Sequence, residues 1–425
     1  MLQRIKQILK DIGCEQYEIT EETIKTWEFY FIRHKLEQNR AIETKNYHVK
    51  VFCILEDDII GNASGTLSPT LSDQEIRDSL NKLIFEASLV SNPAYSLNDQ
   101  PLPEIHSDPV DLISIAESYL KCLQSIPETE TERINSCEIF VSEIHQQFEN
   151  SNGISYSVTY PSSMIETVIN AAKGQHEIEL YRNYTSGICD PKLLWERLSE
   201  TLILGKDRLL ASPTPPLKKS DVVFKGENAV ELYEFLISRL NAEFLYRKLS
   251  DWTIGETIYK LGSGDPITIF ASAHLNNSSH DIPVDEEGAW IKDRYLIRDN
   301  IAENTWGSRQ MSEYIGSRDS SIVYNFIVSG GAQSSSDLHY GDYLELIEFS
   351  DFQVDPVGGD ILGEIRLGYW HHEGDITIIT GGSVSGSMHD VLPDMRFSKE
   401  TVQYDTFIIP KETRLHGLNI TGITG

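Results

Sequence analysis

Between Ile322 and Met388 the chain runs as short apolar segments separated by paired glycines, and this feature limits its possible folds more than any other. Candidate strands are Ile322–Val328, Tyr343–Phe349, Ile361–Tyr369 and Asp375–Thr380, with Gly330-Gly331, Gly358-Gly359 and Gly381-Gly382 between them. Such a run predicts a β-rich C-terminal half. Glycine pairs permit positive φ and close backbone approach. Two readings are therefore open. The pairs turn corners in a strongly curved sheet, or they border a cleft whose strand edge accepts an extended peptide.

Upstream the pattern is mixed. Leu2, Ile5, Ile8, Leu9 and Ile12 predict an amphipathic first helix. Four strands follow, at Trp27–Arg33, Arg40–Glu43, Tyr47–Leu55 and Gly61–Thr66. Ser72-Asp73-Gln74-Glu75 is a capping box ahead of Ile76, Leu80, Leu83, Ile84 and Ala87. Asp108-Pro109 predicts the start of another helix, with aspartate as cap and proline in the first turn. Ile134–Leu210 reads as an antiparallel meander closed by a helix. Its hairpins turn at Asn152-Gly153, between Cys137–Phe148 and Ile154–Tyr160, and at Lys173-Gly174, between Ser163–Ala172 and His176–Tyr184. Asp190-Pro191 opens the helix. Residues 211–220 hold three prolines and predict a linker. The fold class expected is α+β in two domains. Residues 1–212 form a mixed N-terminal α/β domain, and 220–425 a β-rich C-terminal domain opened by a long helix over Glu227–Leu249.

The formal net charge is −29, and no Lys/Arg run exceeds Lys218-Lys219. A nucleic-acid binder needs a basic face to neutralise phosphates, so that class is excluded. No apolar run reaches the roughly 18–20 residues that span a bilayer. The five cysteines, Cys14, Cys53, Cys122, Cys137 and Cys189, lack paired spacing and point to reduced thiols, hence a cytoplasmic protein with no membrane partner.

The order of these features resembles the TldD/PmbA family, the modulators of DNA gyrase. The likeness runs from Trp27–Arg33 and Arg40–Glu43 through the acidic turn Asp285-Glu286-Glu287-Gly288 to Val384-Ser385-Gly386. That family pairs a zinc metalloprotease subunit with a sister, TldE or PmbA, that has lost the metal site. The protease carries H-E-x-x-x-H on a helix plus a late cysteine ligand. Here His176-Glu177 and His372-Glu373 lack the second histidine, and no cysteine follows Cys189. Glu227–Leu249, roughly where the resemblance puts the zinc helix, contains no histidine. The resemblance thus implies a TldE/PmbA-like subunit, with no cofactor of its own. Its partner would be a TldD-like zinc protease subunit, in a heterodimer that processes unfolded peptides. Two alternatives stay open: a homodimeric peptide-binding protein with no protease partner, and a self-sufficient hydrolase built around His274 and His280.

No catalytic or metal-binding residue is assigned. His274 and His280 are six apart on a polar loop, which does not match the spacings of zinc histidine pairs. His371-His372-Glu373 reads as a surface turn. Gly382-Ser383-Val384-Ser385-Gly386 lacks a serine with glycine at both −2 and +2, so it is no nucleophile elbow. The residues expected to line a peptide groove or a subunit contact are His274, Asp285, Glu287, Gly288, Gly330, Gly331, Gly381 and Gly382.

Overall fold

The computed structural model describes residues 1–56, 58–260, 262–317 and 321–423. The expected mixed N-terminal half and β-rich C-terminal half are both present.

The N-terminal half is built on one antiparallel sheet of seven strands. Their order is Asn92–Pro93, Ile59–Leu67, Lys35–Glu56, Gln16–Ile32, Glu132–Asn150, Ser155–Lys173 and His176–Ser186. Two strand pairs expected from sequence prove to be single strands. Arg40–Glu43 and Tyr47–Leu55 belong to one 22-residue strand, which pairs without a break through Glu22↔Asn46 and Thr23↔Lys45. Ile154–Tyr160 and Ser163–Ala172 likewise merge across Pro161. Pro161 lies beyond the last pairing with the next strand, Ser163↔Ser186, where a missing N–H breaks no ladder.

Side chains of one parity bury this sheet under helices. Leu2–Asp11 and Asp73–Ser88 cover Ile19, Val49 and Val51, while Leu112–Gln124 and Pro191–Leu210 cover Ile139, Val141, Ile165 and Ile169. Local chemistry fixes the helix starts. Ser72 and Glu75 form the capping box, and Asp190 accepts the Lys192 and Leu193 amides ahead of Pro191. The helix expected at Asp108 starts later, because Asp111 accepts the Ile113 and Ser114 amides and is the true cap.

In the C-terminal half five strands close into a ring. Leu217–Lys225 lies parallel to Tyr343–Val354 and antiparallel to Glu412–Thr421. Ser383–Ser387 joins Glu412–Thr421 to Asp360–His372, which pairs back to Tyr343–Val354. A six-stranded sheet lies alongside, ordered Ile301–Ala302, Arg294–Arg298, Ile269–Ser272, Asn325–Val328, Phe407–Pro410 and Thr401–Tyr404. One core joins ring and sheet, with Leu232, Tyr233, Phe235 and Leu236 at its centre.

The single helix expected over Glu227–Leu249 is broken. A 3₁₀ turn at Glu227–Ala229 leads into Val230–Ser238, and a second short helix covers Ala242–Tyr246. Between them the chain pairs with Trp306: the Trp306 amide donates to the Leu240 carbonyl, and the Ala242 amide to the Trp306 carbonyl at 2.8 Å. Asn241 then caps the second helix through the Glu243 amide. Residues 211–220 are held by the ring. Ser212–Pro213 pairs with Ile379–Thr380, Thr214 is fully buried, and Leu217 already belongs to a strand. No described helix is long and apolar enough to cross a membrane.

Candidate functional site

Two strand edges are left open where the halves face each other. His176–Ser186 is last in the seven-stranded sheet and pairs only with Ser155–Lys173. Thr401–Tyr404 is last in the six-stranded sheet and pairs only with Phe407–Pro410. Between them runs a groove of about 980 Å³, floored by Pro191–Leu210, residues 226–234 and residues 347–350. An unpaired edge presents a row of amide and carbonyl groups, the surface to which an extended peptide adds as a further strand.

The groove walls are charged and aromatic. Arg197 is clamped between the rings of Tyr184 and Tyr404, at 5.2 and 4.8 Å from their centroids, and donates to the Gln403 carbonyl. Arg182, on the open strand, pairs with the buried carboxylate of Glu348. Lys225 meets Glu200 at 3.2 Å. Glu231 and Glu234 project from one face of Val230–Ser238, three residues apart. Burial raises the carboxyl pKa of both, and Glu231 adds to the rise at Glu234. Burial, then the charges of Arg366 and Arg182, lowers the pKa of Arg208.

None of the eight residues expected from sequence lines this groove. Asp285, Glu287 and Gly288 form the joint between the halves. The Asp285 carboxylate, 1% exposed, accepts the Glu287, Ala289 and Ile322 amides. Glu287 accepts the Arg309 amide at 2.6 Å, and Lys50 lies 3.9 Å from Glu18 and 3.8 Å from Glu287. Burial pushes Asp285 up to about 7, with Glu287 adding to it, and pushes Glu18 up to about 8 against the pull of Lys50. Gly288 has φ +74°, and a Cβ there would come within 2.5 Å of the Phe148 ring. His274 is exposed, with Nδ1 3.0 Å from Asp281. Gly330 and Gly331 press against the backbone of Lys399 and Phe397, and the Gly331 amide donates to the Ser398 carbonyl at 2.9 Å. Gly381 and Gly382 turn at φ +76° and +77° to join Asp375–Thr380 to Ser383–Ser387. All three glycine pairs meet close neighbours within the chain.

Sequence reasoning missed the groove because it joins residues 179 to 411 through tertiary packing. The only local signal was the terminal position of His176–Tyr184 in the meander, which makes it an edge. The groove lining contains no histidine or cysteine, and among the described residues no three His, Cys, Asp or Glu side chains converge as a metal site. Carboxylates spaced along helices, with no histidine or cysteine beside them, do not make the imidazole and thiolate set typical of zinc sites. The residues present do not fit that metal.

Residues 217–422 match the model of the PmbA/TldA metallopeptidase C-terminal domain. Three solved structures share the fold of the whole chain. TldE from Thermococcus kodakarensis superposes with a TM-score of 0.77 at 13% identity, covering 99% of this chain and 100% of its own. A protein described as a modulator of DNA gyrase from Thermotoga maritima gives 0.75 at 14% identity, covering 99% and 98%. One from Bacteroides thetaiotaomicron gives 0.77 at 15%, also covering 99% and 98%. No match was found among curated protein sequences.

Proposed function

Because this chain belongs to the TldD/PmbA family, whose C-terminal domain occupies residues 217–422, we propose that it is a peptide-holding, non-catalytic subunit of a TldD/TldE-type metallopeptidase. The observation that carries this reading is the groove: two open strand edges face each other across a lining that contains no histidine or cysteine. Main-chain pairing at such an edge gives affinity with little demand on sequence, which suits unfolded substrates. Hydrolysis then belongs to a TldD-type partner, which would supply the zinc, the activated water and the base. The whole-length likeness to a TldE fold agrees with this division of labour.

The test is zinc per chain by elemental mass spectrometry, with peptidase assays on the chain alone and mixed with a TldD-type subunit. The expected result is little zinc and no cleavage alone, with cleavage in the mixture that depends on both chains. One zinc per chain together with cleavage by the isolated protein would sink the reading.

A further inference from the structure

One end of the groove is bridged and adjoins a smaller cavity. Arg197, clamped between the rings of Tyr184 and Tyr404, spans the two open strands by donating to the Gln403 carbonyl. Past Ser186 the edge is occupied by the chain itself. The Gly187 amide donates to the Asn277 carbonyl at 2.9 Å, and the Ile188 amide to Asn277 Oδ1 at 2.7 Å. Beside this bridge lies a cavity of about 120 Å³. Tyr184, Thr185, Leu193, Arg197 and Asp405 line both cavity and groove. The cavity floor is apolar. Tyr119, Ile165, Cys189 and Leu194 belong to the core under Leu112–Gln124 and Pro191–Leu210, and burial keeps Cys189 a neutral thiol by pushing its pKa up to about 12. Most polar side chains around that floor are spent within the chain. Asp190 caps the Lys192 and Leu193 amides, and Asp405 accepts the amide and hydroxyl of Ser279 at 2.8 and 2.7 Å. Ser186 Oγ donates to the Ile188 carbonyl, and Gln403 Nε2 to the Asn276 and Asp405 carbonyls.

We propose that this cavity is a specificity pocket, taking one branched aliphatic side chain (Val, Ile or Leu) from a peptide extended along the open edge of His176–Ser186. This rests on the peptide-holding reading above and adds a side-chain preference to it. Leu180, Arg182, Tyr184 and Ser186 pair with Ile169, Thr167, Ile165 and Ser163, so they share the helix-covered face of the sheet. An added strand would point every second side chain to that same face, where the cavity lies. With its polar neighbours engaged, the cavity offers an occupant mainly apolar contact. An apolar cavity of about 150 Å³ holds one benzene. At about 120 Å³ this one suits an aliphatic side chain and falls short of a phenyl ring.

The test uses fluorescence anisotropy with the intact chain and N-terminally labelled, C-terminally amidated heptapeptides of Ser and Gln. Each carries a single guest residue, Gly, Val, Leu or Phe, at its second, fourth or sixth position. At one of these positions Val or Leu is expected to bind about tenfold or more tighter than Gly, the scale of burying one aliphatic side chain, while Phe gains nothing. Leu193→Ala removes the half-buried wall that cavity and groove share, and should make Phe the tightest guest at that same position. If that variant failed to fold, Cys189→Ala widens the same cavity from its floor and carries the same expectation. Equal binding of all four guests at every position would overturn the pocket while leaving peptide holding intact. An aliphatic preference that persisted unchanged in the widened variant would place it elsewhere, and equally overturn the pocket. If none of the peptides bound the chain, alone or with a TldD-type subunit, the peptide-holding reading would fall and take the pocket with it.

Discussion

The two halves meet in two ways, and the contrast separates what holds this molecule together from what it leaves unfinished. At the joint, Asp285 is sealed, its carboxylate spent on three backbone amides, and Gly288 lies against Phe148 with no room for a methyl group. In the groove, two strand edges stay unpaired, and among the described residues Arg208 has no ion-pair partner. A buried polar group is tolerated when its hydrogen bonds are made, and the joint makes them. Open edges are liabilities that folding alone would remove. Left open on either side of one groove, they support the proposed binding place.

The sharpest way to break the joint is Gly288→Val. The side chain would meet the Phe148 ring at a φ that β-branched residues avoid, so we expect a loss of about 3 kcal/mol or more in urea unfolding. The same change placed in an unstrained groove position should cost far less. Next in size, Glu348→Ala leaves Arg182 without its carboxylate, and should cost about 2 kcal/mol, less than a fully buried pair because Arg182 retains some solvent.

A pH series sharpens the contrast further. Glu18 and Asp285 have carboxyl pKa values raised by burial to about 8 and about 7, so the folded protein binds more protons than the unfolded chain between pH 4 and 8. Their contribution is complete below the unfolded carboxylate range and is lost as pH rises through 7 and 8. The melting temperature should therefore fall from pH 5 to pH 9, beyond any general trend. Glu18→Gln should flatten that slope and raise the melting temperature at pH 9. An unchanged slope in the variant would show that Glu18 ionises freely. Smallest in effect, Arg208→Gln should stabilise the free protein by about 0.5 kcal/mol, since it relieves repulsion and breaks no pair. A loss of stability would mean that Arg208 is a structural residue.

Elements fixed by neighbouring residues were readable in the sequence. Ser72 with Glu75, and Asp190 with Pro191, carry their helix starts in a few adjacent side chains. The glycine pairs marked the curved strands, and the order of features pointed to the family. The long strands were less readable, because Lys35–Ala41 is exposed along its length and shows no alternation of buried and open residues. The break near Asn241 was hidden because Trp306, which causes it, lies far along the chain. The same holds for the groove. Residues 182, 208 and 366 come to line one groove only after sheet, helix and ring have assembled, and nothing near any of them in sequence records that arrangement.

The open strand also has a mechanical side. His176–Ser186 is bonded along its inner edge to a 19-residue neighbour, itself bonded to another of equal length, so it is backed by a stiff sheet. A peptide laid along its outer edge and pulled lengthwise would load all its main-chain bonds together, as a lap joint does in shear. Lifted from one end, it would part bond by bond, like a zipper. Under the proposed function, such a holder would resist being dragged yet release to a peel, so that a chain could stay put while another subunit worked on it and then be let go.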